Sequence, residues 1–180
     1  DYSYDIDNLY IKWYEDGVLN VSYNCIDRHI EKSGDKVAIL WEGDDPADTK
    51  KITYKELLIE VCRFSNGLKS LGINKGDRVT IYMPMIPEAV VAMLACARLG
   101  AIHSVVFGGF APNELAIRID DAKPKALVTA SCGIEFTNII EYKPLVDEAL
   151  RISSHAPETV ILLQRLQAKV SMQAGRDVDW

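Results

Sequence analysis

The residues best placed to do chemistry in this chain are two glycines. Gly108 and Gly109 stand between Phe107 and Phe110. Before them runs the apolar, β-branched stretch Ile102-His103-Ser104-Val105-Val106, and after them comes Pro112-Asn113-Glu114, which reads as a helix start. Glycine has no Cβ, so backbone at these positions can approach a ligand closely. In an open parallel sheet the carboxyl ends of the strands form the edge where ligands bind. Phe107 and Phe110 would offer a flat ring an apolar face there. The competing reading is a tight strand-to-helix turn that binds nothing. Two further groups belong to the same edge, Pro84 to Pro87 and Ser131-Cys132-Gly133.

Other familiar chemistry is missing. The chain has no G-x-G-x-x-G fingerprint, no G-x-x-x-x-G-K-[ST] phosphate loop and no G-x-S-x-G elbow. His29, His103 and His155 are isolated, and no His, Cys or carboxylate spacing suggests a metal. His103, at the start of a strand, reads as a hydrogen-bonded structural residue, and His29 as part of a half-buried helix face. Cys132 has no His near it in sequence to serve as a base. Asp120 and Asp121 end a helix, where carboxylates oppose the dipole, and read as a solvated face. No catalytic residue and no metal ligand is assigned.

The elements that must position the glycine turn alternate. Residues 1–19 show no clear period and read as a surface strap held by Trp13 and its aromatic neighbours. Asn20 offers an N-cap to a helix whose stripe is Val21, Cys25, Ile26, His29 and Ile30, closed by Gly34. Val37–Trp41 reads as a strand and Glu42–Lys51 as a loop. Thr53 and Glu56 have capping-box spacing ahead of a helix carrying Leu57, Val61, Phe64, Leu68 and Leu71, with Gly72 as its C′ residue. Strands then follow at Arg78–Met83, Ile102–Val106, Lys125–Ala130 and Thr159–Leu163, with helices at Glu88–Leu99, Pro112–Ala122 and Pro144–Ile152 between them. Glu88–Leu99 is apolar almost all round and should be largely buried.

A strand and a helix recurring in this way make βαβ units. The strands are continuous apolar runs, which predicts a parallel sheet covered on both faces. The fold class is therefore α/β, an open, mainly parallel sheet with helices on both sides. It spans residues 20–163, with a tail over 164–180.

With 180 residues, 48% hydrophobic and 26% charged, the composition is that of a globular chain with ample core. The net charge of −6 argues against nucleic acid or a membrane surface as the main partner. The first residues lack the positive start and apolar run of a signal peptide. The longest apolar stretch, Ala89 to Ala97, is too short to span a bilayer. Cys25, Cys62, Cys96 and Cys132 are widely spaced and read as reduced thiols, which fits the cytoplasm or another reducing compartment such as the mitochondrial matrix.

Over essentially its whole length the chain also resembles a known family, most strongly from Leu19-Asn20-Val21 onward. The resemblance is carried by Asp27-Arg28-His29, Trp41-Glu42-Gly43-Asp44-Asp45 and Tyr82-Met83-Pro84-Met85-Ile86-Pro87-Glu88. It continues through Met93-Leu94-Ala95-Cys96-Ala97-Arg98 and Gly100-Ala101-Ile102-His103-Ser104-Val105-Val106-Phe107-Gly108-Gly109-Phe110. The family is the short-chain AMP-forming acyl-CoA synthetases, the acetyl- and propionyl-CoA synthetase group of adenylate-forming enzymes. Ser131–Glu135, Glu141–Val146 and Gly175–Trp180 look more like the propionyl branch.

The resemblance implies the amino-terminal piece of an enzyme that joins a short carboxylate to ATP as an acyl-adenylate, with Mg, and passes the acyl group to CoA. The family's Thr/Ser/Gly-rich nucleotide loop, acyl pocket and catalytic Lys follow the region matched here, so the 180-residue chain alone is expected to be inactive. By the same resemblance Phe107, Gly108, Gly109 and Ile140 contribute to the CoA nucleotide site. Two arginines that bind CoA phosphate in the acetyl branch align with Glu135 and Asn138, neither of which supplies a guanidinium fork. That leaves Lys143, or residues beyond this chain, to meet the phosphate, or else a lower affinity for CoA. A second reading is a non-catalytic CoA- or nucleotide-binding module. A dehydrogenase-like nucleotide domain is disfavoured by the absent glycine fingerprint.

Overall fold

The structure, a computed structural model, describes residues 2–180. In chain order its elements are β1 (Tyr2–Asp5), β2 (Tyr10–Trp13), α1 (Val21–Cys25), α2 (Ile30–Ser33), β3 (Val37–Glu42), β4 (Thr49–Thr53), α3 (Tyr54–Ser70), β5 (Arg78–Met83), α4 (Pro87–Leu99), β6 (Ile102–Phe107), α5 (Pro112–Ala122), β7 (Ala126–Ala130), β8 (Cys132–Glu135), β9 (Asn138–Glu141), α6 (Tyr142–Ile152), β10 (Thr159–Leu163) and β11 (Asp177–Asp179). A 3-10 turn at Asp27–His29 separates α1 from α2.

Five strands pair in parallel in the order β11-β10-β7-β5-β6. Side chains alternate across a strand, so the sheet buries two different sets. Val79, Ile81 and Met83 of β5 join Val128 and Ile161 in a core with α3 and α4. Tyr82 of β5 joins Val106, Leu127 and Val160 in a second core with α5 and α6. Helices thus cover both faces, as the apolar runs predict.

The chain runs from β5 to β6 on one side, then returns to place β7 and β10 on the other. The reversal lies at β5 and β7, and the crevice at the carboxyl end of such a reversal is where open sheets hold ligands.

Local chemistry sets the helix ends. Thr53 and Glu56 form the reciprocal capping box, with Thr53 N donating to Glu56 Oε2 at 2.7 Å. Asn20 caps α1 by accepting from Tyr23 N, and its amide also donates to the Ala97 and Arg98 carbonyls at 3.0 and 3.1 Å. One side chain therefore closes the start of α1 and the end of α4. Arg98 grips Asp27 through two bonds of 2.8 and 2.7 Å, and that guanidinium holds the Asp27 carboxyl below its usual range. No residue of α4 is exposed, in keeping with its apolar sequence.

Several expectations need correction. The Val21–Ile30 helix is broken by the 3-10 turn. Thr49 to Lys51 are not loop: they lie in β4, antiparallel to β3, and their polarity is that of an exposed hairpin strand. Residues 2–13 form a hairpin in which Tyr2 stacks on Trp13 at 5.4 Å, while residue 1 of the expected strap lies outside the described residues. Asn138–Glu141 returns antiparallel on Cys132–Glu135, a hairpin the apolar pattern does not announce. Within the tail, Asp177–Asp179 adds a fifth strand beside β10. β6 is the sheet's outer strand, not one covered on both faces: Ile102, Val105 and Phe107 are 55%, 55% and 68% exposed.

Candidate functional site

β6 ends at Phe107, one residue later than the periodicity places it, and its neighbour in register is Met83 at the end of β5. Gly108 then folds over the end of β5. A Cβ built there would lie 2.9 Å from the Met83 carbonyl oxygen and 2.5 Å from the Tyr142 hydroxyl. Neither Gly108 nor Gly109 has a positive φ, so what Gly108 supplies is room and not an unusual conformation. The turn thus sits at the topological reversal. Its Gly108 has a structural reason to be glycine independent of any ligand.

Gly109 differs. It is exposed, and the first atoms a Cβ would meet, at 2.6 Å, belong to the Phe107 ring, itself largely exposed and free to swing. Packing leaves this position open. Phe107 and Phe110 meet edge to face at 5.6 Å, and the Arg118 guanidinium lies over Phe110 at 5.0 Å.

Tyr142 is the residue that sequence reasoning missed. It opens α6, is 6% exposed, and its ring lies between two glycines. On the far side from Gly108, a Cβ on Gly133 would come within 2.7 Å of that ring. Tyr142 also packs on Tyr82 at 5.1 Å, and the Tyr82 hydroxyl donates to the Phe110 carbonyl at 2.8 Å. Burial, with Tyr142 beside it, pushes the Tyr82 phenol up to about 12. Burial likewise raises the Tyr142 phenol; Glu135 adds to the rise and Arg165 opposes it. Both phenols are protonated donors at neutral pH.

The same ring brings the β8–β9 hairpin to the turn. Ile140, half-buried, pairs with Gly133 across that hairpin and packs on the Tyr142 core. Gly108 and Ile140 therefore share a neighbourhood with Tyr142, while Phe107 and Gly109 flank Gly108 on the exposed side of the turn. Ser131 fixes the base of the hairpin: its carbonyl accepts from Tyr142 N at 3.0 Å, and its hydroxyl bridges Arg165 N and the Ala168 carbonyl. The only foreshadowing of Tyr142 in the sequence is the grouping of Ser131-Cys132-Gly133 at the strand edge.

Glu135 and Asn138 face each other at the hairpin tip and are both exposed. Lys143 does not replace the missing arginines. It is buried at 5% exposure, bonded to Asp147 at 2.6 Å and paired with Asp177 at 3.1 Å, so its charge is committed. Arg165 donates to the Cys132 carbonyl at 3.1 Å and has no carboxylate partner among the described residues.

The remaining sequence candidates take structural roles or none. Cys132 and Cys96 are buried, and burial pushes the Cys96 thiol up to about 12. His103 is exposed on β6, and its ring has no hydrogen-bond partner among the described residues, against the expected bonded role. His29 Nε2 lies 3.1 Å from the Asn24 carbonyl. Asp120 is not merely solvated: it accepts from Ser154 N and His155 N at 2.7 and 2.9 Å, tying the end of α6 to α5. Two surface hollows lie elsewhere. One of 550 Å³ runs along α6 by Lys169, and one of 330 Å³ lies between α3 and Trp180. No acidic, His or Cys group able to hold a metal gathers among the described residues, and no helix there is long and apolar enough to cross a membrane.

Comparison with known proteins agrees with this architecture. The AMP-binding enzyme family matches residues 26–178. The acetyl-coenzyme A synthetase of Shewanella denitrificans is 55% identical over 179 residues, 99% of this chain and 28% of that protein. That of Shewanella amazonensis is also 55% identical, over 100% of this chain and 28% of its own length. That of Parvibaculum lavamentivorans is 56% identical over 99% of this chain and 27% of its own. The chain thus spans little more than a quarter of the length of these relatives. A match to the family over residues 26–178, on the expected parallel sheet, makes this chain a member of the AMP-binding enzyme family.

Proposed function

We propose that this chain is the amino-terminal portion of a short-chain acyl-CoA synthetase acting on acetate or propionate. In that reaction a carboxylate oxygen attacks the α-phosphorus of ATP and pyrophosphate leaves. The CoA thiol then attacks the acyl carbon, loses its proton, and AMP departs. The observation that carries this reading is the identity to acetyl-coenzyme A synthetases along essentially the whole chain. ATP and CoA are the co-substrates. Mg is the companion ion the family resemblance implies for the ATP phosphates.

Within this portion, Phe107, Gly108, Gly109 and Ile140 are assigned to the CoA nucleotide. The location of the turn at the sheet reversal and its exposed aromatic face support that assignment. Gly109 provides the cleaner test, because Gly108 is already constrained by Tyr142. In the full-length enzyme, Gly109→Val should raise KM for CoA and leave adenylate formation from ATP and the acid unchanged. Equal loss of both half-reactions in a folded variant would reduce the turn to a structural feature. Acyl-CoA formation across a series of short acids decides between acetate and propionate. The 180-residue chain alone should release no pyrophosphate at rates near those of enzymes, about 1 per second or more.

A further inference from the structure

We propose that the Tyr142 hydroxyl contacts the ligand seated on the Phe107–Phe110 turn, donating a hydrogen bond to an acceptor oxygen of that ligand. The proposal rests on the reading of the turn as the CoA site, and adds to it a residue that the reading did not contain.

Three observations carry it. The hydroxyl end of the Tyr142 ring is flanked by two positions lacking a side chain, Gly108 on its Cε2 side and Gly133 on its Cε1 side, and the ring packs on Tyr82. A ring so confined cannot swing, so its hydroxyl is delivered to one place, beside the Gly108 backbone. The hydroxyl has no hydrogen-bond partner among the described residues although the residue is 6% exposed. It is also not sealed away, because among the described residues the one fully enclosed side-chain polar atom without a partner is Thr80 Oγ1. An oriented donor opening at the rim of the turn, left unused by the protein, has its natural partner in a ligand. Its surroundings suit a neutral oxygen acceptor of carbonyl or hydroxyl type. The phenol keeps its proton in this environment, where Glu135 and Arg165, the latter held to the Cys132 carbonyl, place charges of opposite sign nearby. The hydroxyl thereby takes up part of the polar recognition that Glu135 and Asn138 do not provide.

The test is Tyr142→Phe in the full-length enzyme, which keeps the ring and its packing and removes one oxygen. KM for CoA should rise about three- to tenfold, the loss of one neutral hydrogen bond. The rate of adenylate formation without CoA should stay within about twofold. Gly109→Val is measured beside it. If Gly109→Val raises KM for CoA and Tyr142→Phe does not, the hydroxyl role is overturned and the CoA reading of the turn stands. If neither variant moves KM for CoA, the reading of the turn fails with it. Equal falls in both half-reactions of Tyr142→Phe, with a lowered melting temperature, would make the tyrosine a packing residue only and overturn the proposal.

Discussion

Tyr142 and Lys143 are adjacent in sequence, both buried, and serve opposite purposes. Lys143 points into a closed set of charges. Two cations, Lys143 and Arg176, meet two anions, Asp147 and Asp177, through contacts of 2.6 to 3.1 Å. This network fastens β11 to α6, and every charge in it is answered. Tyr142 points toward the glycine turn, its ring fully packed and its hydroxyl unanswered. The contrast separates structure from site. Buried polar groups that satisfy one another hold a fold together, while a fixed group left open at a sheet reversal is available to a ligand.

The largest effect should come from opening the charge network. Lys143→Ala leaves the fully enclosed Asp177 short of one partner, and breaking a buried pair costs about 3–5 kcal/mol. Urea denaturation would measure it, and a loss below about 1 kcal/mol, typical of a surface pair, would break the distinction drawn here.

Next comes the glycine–tyrosine contact. Gly108→Ala should destabilise by about 1–3 kcal/mol through overpacking against Tyr142 and the Met83 carbonyl. Tyr142→Leu should relieve part of that cost when the two are combined, a coupling of about 0.5–3 kcal/mol in a double-mutant cycle. Strict additivity would show that the ring does not constrain position 108.

The network should also carry a pH signature. Burial alone would raise the Asp177 carboxyl, but Arg176, the Gln173 N–H and Lys143 more than offset it and hold it below its ordinary 3.8. A carboxyl depressed in the folded state contributes stability that is present above its unfolded pKa and lost as pH falls through the lower folded value. Stability should therefore be flat near neutrality and fall below about pH 4, and Asp177→Asn should flatten that acid limb. An unchanged limb in the variant would place the acid sensitivity elsewhere, with Asp27 as the next group to examine.

The smallest effect belongs to Thr80, whose enclosed hydroxyl has no partner in the centre of β5. Thr80→Val should stabilise by about 0.5–1 kcal/mol, because it removes an unsatisfied group without changing shape. Unlike Tyr142, Thr80 opens to nothing, so the same change should leave KM for CoA untouched. A shift there would blur the line between an orphaned group and a site.

How much of this was readable in advance depends on how each strand is covered. β5, β7 and β10 are covered on both faces, so apart from Arg78 at one end and a few threonines their residues are apolar, and their positions follow from the apolar runs. The capping box at Thr53 and the stop at Gly100, with φ 74, are local chemistry and equally legible. β4, β8, β9 and β11 are not. They carry residues such as Lys50, Glu135, Asn138 and Asp177, and only pairing with a neighbour makes them strands.

The candidate site divides in the same way. Gly108 and Gly109 were visible because two glycines after a β-branched run need a reason. What each is for was not visible, because the reason for Gly108 is the Tyr142 ring, 34 residues further on, and the openness of Gly109 is a property of the surface. Lys143 looked like a free cation in sequence and proved to be committed to Asp147 and Asp177. The sequence by itself determined the α/β alternation, the caps and the family, since these rest on periodicity and on residues near one another in the chain. The tertiary structure alone decided which polar groups are satisfied, because the partners that satisfy them come from elements far apart in sequence and adjacent only in space.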